Sequence, residues 1–135
     1  MISLERYYYQ AVVRPVLEYA SPCWQASLTK EQTKQLEDVQ RRALRIIFGN
    51  IPYDEARRTC NILSLAERRH ELGKRFFQRI IKDKSNVLFY LLPAKRDVQL
   101  TTRLRRARQY PTIYARTNRL RKLFYSIWTK SFPAM

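Results

Sequence analysis

Residues 29–50, TKEQTKQLEDVQRRALRIIFGN, carry the marks of one complete helix. Thr29 followed three residues later by Gln32 is a capping-box pattern, in which each side chain satisfies a backbone N–H at the start of a helix. Behind it, Leu36, Val39, Ala43, Leu44 and Ile47 recur at the spacing that lines one helical face. Gly49-Asn50 supplies the stop, because either residue tolerates the left-handed conformation that closes a helix. The spacing predicts a helix from Lys30 to Phe48. Lys34, Arg41, Arg42 and Arg45 occupy its other sides, and the three arginines sit toward the negative end of the helix dipole.

The pattern continues on both sides. Upstream, Leu4, Tyr8, Ala11, Val12, Pro15 and Tyr19 line another helical face, which Pro15 should kink or split and which should end near Ser21-Pro22. Downstream of Pro52, a short helix from Tyr53 to Cys60 is expected, with Asp54 and Glu55 in its first turn where they favour the dipole. Ser64 with Glu67 makes a second capping box, opening a helix to about Lys82 with Leu65, Leu72, Phe76 and Ile80 as its buried face. Arg68, Arg75 and Arg79 fall near one another on a different face. The run Val87 to Leu92 is too short to choose between helix and strand, and Pro93 ends it. From Ala94 to Thr117 the chain is polar and basic, a linker or an extended segment that orders on binding. Asn118 to Phe132 places Leu120, Leu123, Phe124, Ile127 and Trp128 at helical spacing. The expected fold is mainly α, a small helical bundle with a basic, partly extended C-terminal segment. It divides into a helical domain (1–93), a basic linker (94–117) and a C-terminal helix (118–135).

Composition narrows the chemistry. At 135 residues and 45% hydrophobic, the chain is long enough for one core. Its two glycines argue against tight β-hairpins, phosphate-cradling loops and dinucleotide fingerprints, all of which need glycine backbone. The formal net charge is +16, and residues 94–135 alone hold 11 basic side chains and 1 acidic. Such an excess implies a polyanionic partner or an acidic neighbour. Cys23 and Cys60 stand far apart without companions at metal-ligand spacing, and read as buried thiols of a reducing, intracellular compartment, nuclear or cytoplasmic. No apolar window approaches a membrane span, and no leader is evident.

No catalytic constellation is legible. Glu37-Asp38 and Asp54-Glu55 are adjacent pairs on predicted helices, pointing about 100° apart, and suit helix surfaces and first turns better than a two-metal site. His70, the single histidine, reads as a surface residue. No metal or cofactor is expected. What remains is a basic surface with aromatics. Arg103, Arg105, Arg106 and Arg108 form its densest run, which would equally serve nuclear import. Tyr7, Tyr8, Tyr9, Tyr110 and Tyr114 could stack on bases, although packing is the commoner role of such rings.

These residues also carry a family pattern. Val13-Arg14-Pro15-Val16-Leu17-Glu18-Tyr19-Ala20-Ser21-Pro22 with Trp24 resembles the segment that follows the polymerase palm in reverse transcriptases of jockey-like, non-LTR retrotransposons. Leu28-Thr29-Lys30, Leu36-Glu37, the run from Val39 to Ile47, and Gly49 are similar to that family's next helix. Tyr53, Glu55-Ala56, Leu63, Leu65, Glu67-Arg68-Arg69 and Phe76-Phe77 resemble the helical pair after it. Arg116-Thr117, Phe124 and Trp128 resemble its tail, with Leu123 where a serine is usual and Thr129 where an asparagine is. The resemblance spans residues 10–92 and, more loosely, 110–130.

The resemblance implies a thumb-like, non-catalytic region lying against a primer-template duplex. The family's palm, with its Tyr-x-Asp-Asp type metal site, would lie upstream of Met1, as expected of a piece cut from a longer element. The expected partner is nucleic acid, an RNA–DNA hybrid or duplex, bound without base specificity. The expected phosphate contacts are Arg41, Arg42, Arg45, Arg68, Arg75, Arg79, Arg103, Arg105, Arg106, Arg108, Arg116 and Arg119. Two alternatives stand beside it. One is a remnant without function of its own, whose faces evolved to pack on an absent palm domain, with Tyr7, Tyr8, Val12 and the Trp24 region left vacant. The other is a basic protein of membrane surfaces or partner helices.

Overall fold

A computed structural model describes residues 2–105, 107–112, 114 and 116–121. The fold is mainly α, and no strand occurs among the described residues. The described residues form eight α-helical segments in order: α1 (Ile2–Tyr8), α2 (Arg14–Glu18), α3 (Ser21–Trp24), α4 (Lys30–Phe48), α5 (Tyr53–Cys60), α6 (Leu65–Lys82), α7 (Val98–Arg103) and α8 (Asn118–Arg121). The chain divides into two compact units, Met1–Leu72 and Gly73–Met135, with the boundary inside α6.

In the first unit, α4 and α5 have the predicted bounds. Both halves of the Thr29 capping box form: the Gln32 N–H donates to Thr29 Oγ1 at 3.1 Å, and the Thr29 N–H to Gln32 Oε1 at 3.0 Å. Gly49 does follow α4 at a positive φ of 72°, but its ψ of −129° takes it outside the left-handed helical region expected of the stop, into a conformation open to a residue without a Cβ. Asn61 closes α5 in the left-handed region at φ 53°. The segment before α4 departs from a simple kinked helix. Between α1 and α2 runs a π turn, Tyr9–Val13, in which the Arg14 N–H donates to the Tyr9 carbonyl oxygen. Pro15 then falls in the first turn of α2, where a missing N–H is tolerated. Ser21-Pro22 open α3 and do not close the preceding helix, which ends at Glu18.

The apolar core of this unit gathers Tyr9, Leu44, Ala56, Cys60 and Ile62, with Val13, Ala43, Ile47 and Phe48 against it. Through it runs a chain of buried polar groups. Gln40 is 0% exposed. Its amide oxygen accepts from the Tyr9 hydroxyl at 2.7 Å, and its nitrogen donates to the Tyr53 hydroxyl at 2.9 Å and the Leu63 carbonyl oxygen at 3.1 Å. The Tyr53 hydroxyl in turn donates to Glu37 Oε1, while Glu37 Oε2 accepts the Leu65 N–H at 3.0 Å. Glu37 thus caps the positive end of α6 from a neighbouring helix, a role that a surface reading of the Glu37-Asp38 pair misses. Cys60 is buried as expected, and burial pushes its thiol up. Cys23 is exposed, contrary to expectation, because short α3 buries only Ser21.

The Ser64–Glu67 box also forms, with Ser64 N–H and Oγ–H reaching Glu67 Oε2 at 2.9 and 2.8 Å. These bonds hold the Glu67 carboxyl below its usual range. The inward stripe of α6 is rotated from the prediction. Leu65, Arg69, Gly73, Phe77 and Ile80 are the buried positions, while Leu72 and Phe76 are half-buried at its edges. An arginine on the inward stripe is what a hydrophobic pattern cannot anticipate. Arg69, 3% exposed, lies with its guanidinium carbon 5.8 Å over the Trp24 ring.

In the second unit, a 3₁₀ helix over Val87–Leu91 resolves the ambiguous apolar run, with Asn86 Oδ1 accepting the Leu88 N–H at 2.9 Å. The basic segment is not wholly extended. Asp97 caps α7, and the Arg96 N–H reaches the Gln109 carbonyl oxygen at 3.0 Å. Described residues from Leu104 to Thr117 hold no helix. The predicted C-terminal helix is described only over Asn118–Arg121, so Leu123, Phe124, Ile127 and Trp128 lie outside the described residues.

Two tests address the buried network. Gln40→Ala leaves the Tyr9 hydroxyl without its acceptor and opens a cavity; a loss of about 2–4 kcal/mol is expected in urea unfolding followed by circular dichroism. The Tyr9 phenol is pushed well above the ordinary tyrosine range by burial, and the Tyr53 phenol by burial and its hydrogen bond to Glu37. An unfolded tyrosine ionises near pH 10, so these groups contribute stability that is full below about pH 10 and lost as pH climbs toward the folded values. Urea midpoints measured from pH 8 to 11 should fall at the alkaline end, and less steeply in Tyr9→Phe.

Candidate nucleic-acid interface

Helix α4 is buried along one side through Gln40 and Leu44, which leaves Arg41, Arg42 and Arg45 on its outer side. Their spacing places Arg45 three and four residues from the other two, one turn away along the axis. They are not equivalent. Arg41 Nη1 is 2.5 Å from Asp38 Oδ1, and the same guanidinium lies 5.1 Å over the Tyr53 ring. Arg42 and Arg45 are exposed and meet no acidic group among the described residues. All three border an open cleft of about 390 Å³ together with Gln35, Asp38 and Val39. Arg41 and Arg45 also border a second cleft of about 330 Å³ toward Gly49, Asn50 and Tyr53.

Arg68 has a different position from the other predicted contacts. It is half-buried, with Nε 3.3 Å from Glu18 and Nη1 3.1 Å from Glu71, and Glu18 is also held by Arg14 Nε at 2.6 Å. Its charge is spent within the fold. Sequence reasoning passed over Arg58, which is exposed at the end of α5 without an acidic partner among the described residues. Adjacent Arg57 takes both nearby acids, Asp54 at 3.0 Å and Glu67 at 3.2 Å. Nothing in the Arg57-Arg58 dipeptide indicates which of the two stays open.

In the second unit, Arg75 and Arg79 are exposed on α6. Arg103 ends α7, and Arg105, Arg108 and Arg116 are exposed beyond it. The only acid after residue 93 is Asp97, whose side chain accepts the Gln99 N–H at 3.2 Å as the cap of α7. The stretch therefore carries its excess of positive charge with a single acid of its own. Arg106 and the side chain of Arg119 lie outside the described residues.

Of the tyrosines considered for stacking, Tyr9 and Tyr110 are buried, as packing requires, whereas Tyr7, Tyr8 and Tyr114 are exposed. His70 is exposed. Among the described residues no group of three or more His, Cys, Asp or Glu side chains could hold a metal ion, and no helix is long and apolar enough to cross a membrane. No protein-family model, curated protein or solved structure matches the chain.

The division between open and spent arginines is measurable. Arg42→Ala combined with Arg45→Ala should lower the slope of log affinity against log salt for a nucleic-acid duplex by about one per arginine removed, at unchanged thermal midpoint. Arg68→Ala should instead lower stability by about 1 kcal/mol and leave the slope as it is.

Proposed function

We propose that this chain is a non-catalytic helical module that binds nucleic-acid backbone without base specificity, akin to the region downstream of the palm in a non-LTR retrotransposon reverse transcriptase. The observation that carries the reading is the exposed pair Arg42 and Arg45 on α4, with no acidic partner among the described residues, both bordering one cleft and Arg45 a second. Guanidinium groups engage phosphate oxygens through paired donors, and fixing them on a helix lowers the ordering cost of each contact. Arg79, Arg103, Arg105, Arg108 and Arg116 extend the same chemistry into the second unit. Arg75 and, from the sequence alone, Arg106 and Arg119 complete the set. The residue-level likeness over positions 10–92 supports an RNA–DNA hybrid or duplex as the ligand.

One observation favours a second reading, an orphaned piece whose apolar faces expect a partner domain. Leu4, Tyr8 and Ile46 are exposed around an apolar groove of about 460 Å³ between α1 and α4, floored by Ala43 and Ile47. A chain in that condition should self-associate and bind a hydrophobic dye.

The two readings separate in one titration. Purified chain against labelled RNA–DNA hybrid, duplex DNA and heparin over a salt series should give a steep slope and preference for the hybrid over heparin. Alanine at positions 103, 105, 106 and 108 together should weaken binding and flatten the slope. Equal, weak binding to all three ligands, with dye binding and self-association, would favour the orphan reading.

A further inference from the structure

Tyr19, the residue that follows α2, is 81% exposed. Its backbone is firmly placed. The next residue, Ala20, sits in the left-handed region at φ 50° and ψ 24°, a conformation that costs any residue with a Cβ. The Trp24 indole N–H donates to the Tyr19 carbonyl oxygen at 2.7 Å, and the Cys23 N–H donates to the Ala20 carbonyl oxygen at 2.9 Å. A strained turn persists where its surroundings over-determine it, and such turns cluster at ligand clamps.

The ring borders an open bowl of about 520 Å³ whose wall is mostly apolar, with Val16, Trp24, Leu28 and Leu36 among its residues. Two amides, Gln32 and Gln35, interrupt it. Gln35 and Val39 line both this bowl and the cleft of Arg41, Arg42 and Arg45, so the two depressions share a rim on α4. Asp38, the one acid on the cleft, is already neutralised by Arg41.

The occupant must suit both halves. An apolar helix would fill the bowl but leave Arg42 and Arg45 unused beside it, and an intact duplex would use the arginines but keep its bases stacked away from the bowl. A single strand satisfies both, because it offers phosphates and free base faces at once. We propose that the bowl at Tyr19 holds an unpaired nucleobase of a single-stranded segment whose phosphates lie against Arg42 and Arg45. The base stacks on the Tyr19 ring, and the Gln35 amide offers a donor and an acceptor to its edge, beside the Gln32 NH2, whose amide oxygen is held by the Thr29 N–H. The inference rests on the nucleic-acid reading above and adds to it a selectivity for unpaired nucleotides.

The test uses the full chain and fluorescence anisotropy with three ligands: a labelled oligo-dT, a blunt duplex of equal total charge, and heparin as a polyanion without bases. Tyr19→Ala is expected to weaken the single strand roughly tenfold, with its salt slope unchanged and the other two ligands unaffected. Tyr19→Phe, which keeps the π face, should bind like the parent. Arg42→Ala with Arg45→Ala should flatten the slope for all three ligands. If Tyr19→Ala binds oligo-dT as tightly as the parent, or weakens all three ligands alike, the base pocket is overturned while phosphate binding stands. If the parent binds none of the three, both readings fall. A Tyr19→Ala chain that only loses self-association would assign the bowl to a second copy and overturn the proposal. Circular dichroism checks the fold of each variant. A 5-iodouridine oligonucleotide tests the unmutated chain: photo-cross-linking at Tyr19 or Trp24 supports the pocket, and cross-links confined elsewhere overturn it.

Discussion

Gln40 is the constraint on which the first unit depends. A buried amide must find partners for its donors and acceptor, and here they come from Tyr9 on the π turn, Tyr53 on α5 and the Leu63 carbonyl in the approach to α6. Hydrophobic contact alone is non-directional and would let these short helices slide or rotate on α4. The amide admits one register for each. Glu37, one turn earlier, extends the same device by joining the Tyr53 hydroxyl to the first N–H of α6.

The sequence made the longer elements of this unit legible and left the network between them hidden. The bounds of α4 and α5 followed from Thr29, Gln32, Gly49 and Pro52, because caps and stops are local chemistry readable within four or five residues. The roles of Gln40 and Glu37 were not readable, since their partners lie 13 to 31 residues away and a polar residue on a predicted helix looks like surface. The same limit explains α6, where Arg69 occupies a core position and rotates the apparent apolar stripe. The arginine cluster on α4 was visible as composition; which members remain open was not. That depended on Asp38 meeting Arg41, on Glu18 and Glu71 meeting Arg68, and on Arg57 taking the acids that would otherwise restrain Arg58. Tyr19 escaped notice because its helical spacing assigns it to a buried face, whereas the chain leaves the helix one residue before it.

Helix α4 consequently works on two sides at once. Its inner side is specified by directional hydrogen bonds and is intolerant of change, while its outer side carries charges whose positions are inherited from that rigidity. An exposed arginine on a fixed helix presents its guanidinium from a known origin, and its affinity for an anion is then governed by the side chain's own few torsions. The polar interior and the basic exterior are thus one arrangement, since loosening Gln40 would blur the placement of Arg42 and Arg45.

The π turn at Tyr9–Val13 bears on the ancestry of this segment. A π turn inside a helix is equivalent to one added residue, absorbed as a local widening while the flanking helices stay in phase with their own neighbours. Removing a residue here would restore ordinary α geometry, whereas removing one from α1 or α2 themselves would turn the preceding helix by about 100° against its contacts. Homologous chains that differ in length by one at this turn could therefore keep identical packing on either side, and an alignment that places the gap in α2 would misassign the residues between that gap and the turn.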